Sequence, residues 1–170
     1  DVFKSLRDGL SYHGRLYALP FNGESSMLMY RKDLFVAKGI TMPEQATYAD
    51  IKKWAEALTD KGKGIYGITL RGKPGWGENM AFVSTLVNTL GGTWFDMDWK
   101  ATIESPEWKS AIGYYVDLMK AFGPPGATSN GFNENLTLFQ DELKNTEREL
   151  SDRKAEINRF IREKDITTLD

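Results

Sequence analysis

The chain of 170 residues contains no cysteine, which removes disulfides, thiolate-ligated zinc and thiol nucleophiles together. It has one histidine, His13, so a multi-histidine metal site is excluded. No apolar run reaches the roughly 18 residues that a membrane-crossing helix needs. Lys and Arg number 22 against 24 Asp and Glu, a formal charge of -2, so there is no basic field with which to grip nucleic acid. The opening Asp1-Val2-Phe3-Lys4 does not read as a signal peptide. Hydrophobic residues at 41% and charged ones at 27% match an ordinary globular composition rather than a disordered one.

A second set of absences is local. All 16 glycines lie at or before Gly131, all 6 prolines at or before Pro125 and all 5 tryptophans at or before Trp108. Residues 141–170 hold 9 acids and 7 bases, with Phe160 their one aromatic, leaving 15 of each charge in the first 140. The expected organisation is therefore a neutral, aromatic-rich body over residues 1–140 and a charged amphipathic helix over 141–170. The tail's apolar residues recur at Leu136, Phe139, Leu143, Leu150, Ile157, Phe160 and Ile161. Thr146, Glu147, Arg153 and Lys154 interrupt that stripe. About two heptads are filled where a dimeric coiled coil wants three or more, so a solvated helix resting on the body or on a partner stands beside the coiled-coil reading.

In the body, Leu16–Phe21 and Met27–Tyr30 are short apolar runs parted by Asn22-Gly23-Glu24-Ser25-Ser26, and they predict buried strands. Thr47 followed by Asp50 predicts a capped helix with Ile51, Trp54, Ala55 and Leu58 inward, ended by Gly62 and Gly64. Ile65–Leu70 predicts another buried strand. Asn79 is a candidate cap for a helix burying Met80, Val83, Leu86, Val87 and Leu90, stopped by Gly91-Gly92. Ser105-Pro106 opens a third helix, with Trp108, Ile112, Tyr115, Val116 and Met119 inward, and Pro124-Pro125-Gly126 forbids its continuation. Asn133 opens a last helix that runs into the tail. Strands alternating with helices predict an α/β domain.

Catalytic motifs are weak. No G-x-S-x-G surrounds Ser25 or Ser26, and His13 in Tyr12-His13-Gly14 reads as a turn residue. Gly67–Lys73 fits the spacing of a phosphate-binding loop, but Pro74 stands where Ser or Thr must meet magnesium and has no N–H to offer. Asn135-Leu136-Thr137 is a formal glycosylation sequon. Glu24, Glu78, Asp96 and Asp98 are the loop carboxylates available for glycoside hydrolysis, a reaction that depends on their separation.

Aromatics in loops are the remaining signal. Trp76 lies in Gly75-Trp76-Gly77-Glu78-Asn79, and Trp94 follows Gly91-Gly92-Thr93. Beside Arg71, Glu78 and Asn79, an indole between glycines makes an apolar platform ringed by hydrogen-bonding groups, the composition of a small-polar-ligand site. The same residues could equally be a buried Trp76 with a surface ion pair between Arg71 and Glu78.

Three segments carry a resemblance: Gly14–Phe21, Ser26–Phe35 and Arg71–Asn79. In this order they resemble the extracellular solute-binding proteins of bacterial ABC importers, most of all the sugar- and polyol-binding branch, over about residues 1–140. The resemblance implies most of one lobe, with a hinge segment, of a type II periplasmic-binding-protein-like α/β clamshell, followed by a long C-terminal helix. It implies no catalysis and no cofactor, a sugar or polyol as ligand, ABC permease membrane subunits as partners and an extracytoplasmic or periplasmic location. Asn22, Glu24 and Ser25 would form the cleft floor. Arg71, Trp76, Glu78, Asn79 and Trp94 would line the second lobe's wall, with Trp76 stacked on the sugar's C–H face. At roughly half the family's length or less, and with Asp141-Glu142-Leu143-Lys144 where the family returns to its first lobe, the chain reads as truncated or chimeric and impaired in binding. A structural protein that self-associates through residues 141–170 is the alternative reading.

Overall fold

The computed structural model describes residues 3–21, 23, 26–75 and 77–163, in two compact units divided after Arg31. The first unit holds a short helix α1 (Lys4–Gly9) and a hairpin of β1 (Ser11–Tyr12) and β2 (Arg15–Leu16). The hairpin pairs Tyr12 with Arg15, so His13 and Gly14 form a two-residue turn. Both have positive φ, 48° and 74°, as the turn type that matches strand twist demands. His13 is thus a turn residue.

The second unit is helical. It comprises α2 (Lys32–Ala37), α3 (Tyr48–Leu58), α4 (Asn79–Thr89), α5 (Pro106–Phe122) and α6 (Phe132–Glu163). The Thr47 side chain accepts the Asp50 N–H, and the Asp50 carboxylate accepts the Thr47 N–H at 3.0 Å, a reciprocal cap for α3. Helix α3 ends at Leu58, before the glycines expected to stop it: Thr59 takes an extended backbone, φ -71° and ψ 124°, and its hydroxyl donates to the Ala55 carbonyl. Gly64, at φ 72°, closes the single turn that follows. Ser105 caps α5 with Pro106 in its first turn. Gly91 takes a left-handed φ of 82° just past α4, and the Gly92 N–H returns to the Val87 carbonyl.

The core forms where α4 meets α5. Val83, Leu86 and Val87 of α4 are buried against Trp108, Ala111 and Tyr115 of α5, with Tyr48, Leu70, Met80 and Phe82 packed around them. Each large apolar side chain removed from water in this way contributes about 1.5–3 kcal/mol. The inward face of α5 is Trp108, Ala111, Tyr115 and Leu118. Ile112, expected inside, is 45% exposed. Trp108 and Tyr115 are buried as expected and Val116 and Met119 pack against the core, while α4 approaches on the side of the small Ala111.

The predicted strands depart from expectation. Of Leu16–Phe21 only Leu16 joins a ladder, and Met27–Tyr30 and Ile65–Leu70 form no regular strand. Phe21 and Met27 are 97% and 75% exposed, whereas Ile65–Leu70 is half-buried, with an antiparallel bridge from Ile65 to Asp60. A strand exists only with a neighbour to accept its ladder bonds. Among the described residues the one ladder is β1–β2. Helix α6 begins at Phe132, one residue before the expected Asn133, and passes without interruption through residue 140. Its 32 residues extend about 48 Å.

Candidate functional site

Residues 71–79 form a loop that the helical unit holds from behind. Gly72 and Lys73 donate their N–H groups to the Asn130 carbonyl at 2.9 and 3.0 Å. Gly72 lies so close to the single turn at Ala127–Ser129 that a Cβ would stand 2.1 Å from the Ala127 carbonyl oxygen. Tyr115, from the core face of α5, donates its hydroxyl to the Arg71 carbonyl at 2.7 Å. Burial raises the Tyr115 phenol above its ordinary value, opposed by a hydrogen bond with the Asn79 side chain. The loop is therefore attached to the core through a phenol on its inner side.

Arg71, Glu78 and Asn79 are brought together, each by a specific contact. Arg71 Nη1 donates to the Gly77 carbonyl at 2.6 Å, and its guanidinium lies 4.9 Å from the Phe132 ring centroid. Glu78 Oε2 accepts the Phe132 N–H at 3.0 Å. Asn79, the first residue of α4, accepts the Gly75 N–H on Oδ1 at 3.2 Å. Asn79 thus shapes the loop from inside the helix, and Glu78 occupies the cap position, where it makes no side-chain cap bond. The contacts of Arg71 and Glu78 run to Gly77 and Phe132 rather than to each other.

The first turn of α6 thereby receives two carboxylates. Glu134 accepts the Gly131 N–H at 2.8 Å, and its carboxyl is held below the usual range by its own backbone N–H first, then by that of Gly131, with Lys73 nearby. Acids are favoured at this position because the first N–H groups of a helix lack intrahelical acceptors. Gly131 fits between them, since a Cβ there would meet both Glu78 oxygens and Glu134 within 3.0 Å. Phe132 and Gly131 were not singled out in the sequence as site residues, and Tyr115 was read only as a core residue of its helix. They lie 44 to 61 positions from Arg71, and the sole local signal is Glu134 placed three residues after Gly131.

Trp94 occupies a different setting. It packs edge-on against Trp108 at 4.7 Å between ring centroids, is 41% exposed, and stands beside Thr93, whose carbonyl accepts the Trp108 Nε1–H at 2.7 Å. Asp96 accepts the N–H groups of Asp98 and Lys100 on one oxygen, both at 2.9 Å, which makes it a loop-shaping residue. A shallow concavity of about 460 Å³ is lined by Asp96 and Lys100–Ser105; none of the loop 71–79 contributes to it. Of the nominated residues, Asn22, Glu24, Ser25 and Trp76 lie outside the described residues. Asn135 of the sequon is engaged by the Thr69 hydroxyl. Gly67 of the near-miss phosphate loop packs against the end of α3, where a Cβ would meet the Ala55 carbonyl oxygen at 1.9 Å, so its backbone serves packing. Among the described residues no cluster of His, Cys, Asp or Glu could hold a metal ion.

Loop 71–79 is thus a glycine-rich segment whose polar side chains are fastened at the starts of α4 and α6. Residues 1–146 match the family of bacterial extracellular solute-binding proteins, and the chain belongs to that family. It is 54% identical over 139 residues to the mannitol-binding protein of Pseudomonas aeruginosa, covering 82% of this chain and 32% of that protein. The crystal structure of an ABC transporter solute-binding protein from Agrobacterium vitis S4 with bound D-mannitol superposes with a TM-score of 0.69 at 60% identity, covering 79% of this chain and 32% of that one. A solute-binding protein from Agrobacterium radiobacter K84 in complex with ribitol gives a TM-score of 0.55 at 32% identity, over 62% of this chain and 26% of that one. The fold is thus part of the type II periplasmic-binding-protein-like architecture, and the chain spans about a third of the length of the relatives it matches. Those relatives are binding proteins.

Proposed function

We propose that the chain supplies one wall of the carbohydrate-binding site in an ABC importer's solute receptor, with a sugar or polyol as ligand and an acyclic hexitol as the first candidate. The observation that carries this reading is the 60% identity to a protein with bound D-mannitol, together with the fastening of loop 71–79 to α4, α5 and α6. In this reading Trp76 stacks on the C–H face of the ligand, and Arg71, Glu78 and Asn79 hydrogen-bond its hydroxyls. Asn22, Glu24 and Ser25 form the floor between the lobes, and Trp94 belongs to the same wall. Each such hydrogen bond contributes only about 0.5–1.5 kcal/mol net, so affinity requires several of them and closure by a second lobe. The closed receptor acts outside the cytoplasm and delivers its ligand to membrane permease subunits, with no chemical step.

One wall leaves the ligand's other face in water, so the chain by itself binds weakly. The test transplants residues 1–140 in place of the aligned stretch of the Pseudomonas mannitol-binding protein and titrates sugars and polyols against tryptophan fluorescence. The account expects a saturable response to a polyol such as D-mannitol, and a smaller one from the 170-residue chain. A folded chimera silent to the whole panel overturns it.

A further inference from the structure

The outer part of α6 carries an apolar column that nothing described covers. Leu136, Leu143, Leu150 and Ile157 recur every seven residues, and the last three are 39%, 53% and 57% exposed. Phe160, beside the column, is 54% exposed. From Asp141 to Phe160 every residue except Thr146 is exposed. A helix in water gains most of its stability by packing its apolar stripe, and none of the described residues covers this one.

Charge along the stripe selects the occupant. Glu142, Glu149 and Glu156 immediately precede Leu143, Leu150 and Ile157, so one shoulder of the column is an acidic row. The other shoulder is mixed, with Glu147, Lys154 and Ile161, and Arg153 interrupts the seam itself. A second copy of this chain matches that pattern poorly. In parallel pairing the attraction of Glu149 for Lys154 of the other copy is offset by Glu142 facing Glu147, which leaves the two Arg153 side chains meeting in the seam; in antiparallel pairing the acidic rows oppose each other. Like charges in these positions select against a pairing. The same row repels an anionic bilayer.

We propose that residues 141–161 of α6 dock a helix of a different protein, one with an aliphatic seam, Lys or Arg along the flank that faces Glu142, Glu149 and Glu156, and an acid opposite Arg153. This surface is independent of the carbohydrate site.

The test uses the 170-residue chain and two fluorescein-labelled synthetic helices of about four heptads. Both have Leu in the seam and one Glu placed opposite Arg153; one carries Lys on both flanks and the other Glu. Fluorescence anisotropy is expected to show the Lys-flanked peptide bound at least about tenfold more tightly, with the difference shrinking in about 0.5 M salt. Glu142→Lys with Glu149→Lys and Glu156→Lys reverses the preference, and Leu150→Asp abolishes binding of both peptides, while circular dichroism shows each variant as helical as the parent. Equal affinity for the two peptides, binding of neither, or sedimentation showing that the chain pairs with itself through α6 overturns the proposal.

Discussion

The Glu78 carboxylate accepts the backbone N–H of Phe132 at 3.0 Å, across 54 positions of sequence. This contact joins the candidate binding loop to the first turn of α6, where the helix presents N–H groups to an anion. Glu78→Ala is expected to lower stability by about 1 kcal/mol, and Glu78→Gln, which keeps an acceptor but not the charge, by less. Urea unfolding of the two variants checks the order. An unchanged midpoint in Glu78→Ala would show that the contact holds nothing.

Two glycines of opposite character test the packing behind the loop. Gly72 has the Ala127 oxygen 2.1 Å and the Thr128 Cα 2.5 Å from where a Cβ would sit, while Gly113, inside α5, has nothing within 4 Å. Gly72→Ala therefore forces backbone apart and is expected to cost about 1–3 kcal/mol. Gly113→Ala removes unfolded-state freedom without a clash and is expected to add about 0.5–1 kcal/mol. Thermal unfolding of both variants reads the two signs.

The inward face of α5 is tested by a pair of truncations. Leu118 is fully buried and Ile112 is 45% exposed. Leu118→Ala is expected to cost about 2–5 kcal/mol and Ile112→Ala under about 1 kcal/mol, as measured by urea unfolding. The reverse order would restore the face expected from periodicity.

That pair also marks where sequence reading stopped. Caps and stops are local chemistry, and Thr47 with Asp50, Ser105-Pro106 and Gly91-Gly92 could be read directly. The face of α5 could be read only in part: Trp108 and Tyr115 are buried as expected, but Ala111 does not register as a core residue until α4 is placed against it. Leu16–Phe21 and Met27–Tyr30 have strand composition, but a strand depends on a neighbouring chain segment, and no ladder among the described residues takes up either run beyond Leu16. Within the candidate site, Arg71, Glu78 and Asn79 were legible because they share one short motif. Gly131, Phe132 and Tyr115, which hold that motif in place, come from remote positions that only the fold unites. Trp94 was legible as a loop aromatic, but its edge contact with Trp108 was not, because 14 positions separate the two rings.

The pH dependence of stability has two arms. Tyr114 donates its hydroxyl to the Tyr48 carbonyl at 2.6 Å, and burial, with a smaller contribution from Tyr48, pushes its phenol up to about 12 from 10.0. The folded state thus favours the neutral phenol. This contribution is complete below about pH 10 and is lost as pH rises toward about 12. Tyr114→Phe is expected to be less stable at neutral pH by about 1 kcal/mol and to lose less on going to alkaline pH. At the acid end, the Thr47 hydroxyl and then its N–H hold the Asp50 carboxyl below its usual value. That contribution is present above about pH 4 and disappears as pH falls. Urea midpoints across both ranges, for the parent, Tyr114→Phe and Thr47→Ala, give the comparison.

The claim on which the account rests is that loop 71–79 holds a polyhydroxylated ligand. Calorimetric titration of D-mannitol into the chimera carrying residues 1–140, with and without Trp76→Ala, tests it most directly. The account predicts saturable binding in the parent chimera and a loss of at least about tenfold in Trp76→Ala, equivalent to about 1.4 kcal/mol, with the thermal unfolding midpoint unchanged. Equal affinity in the two folded proteins would contradict it.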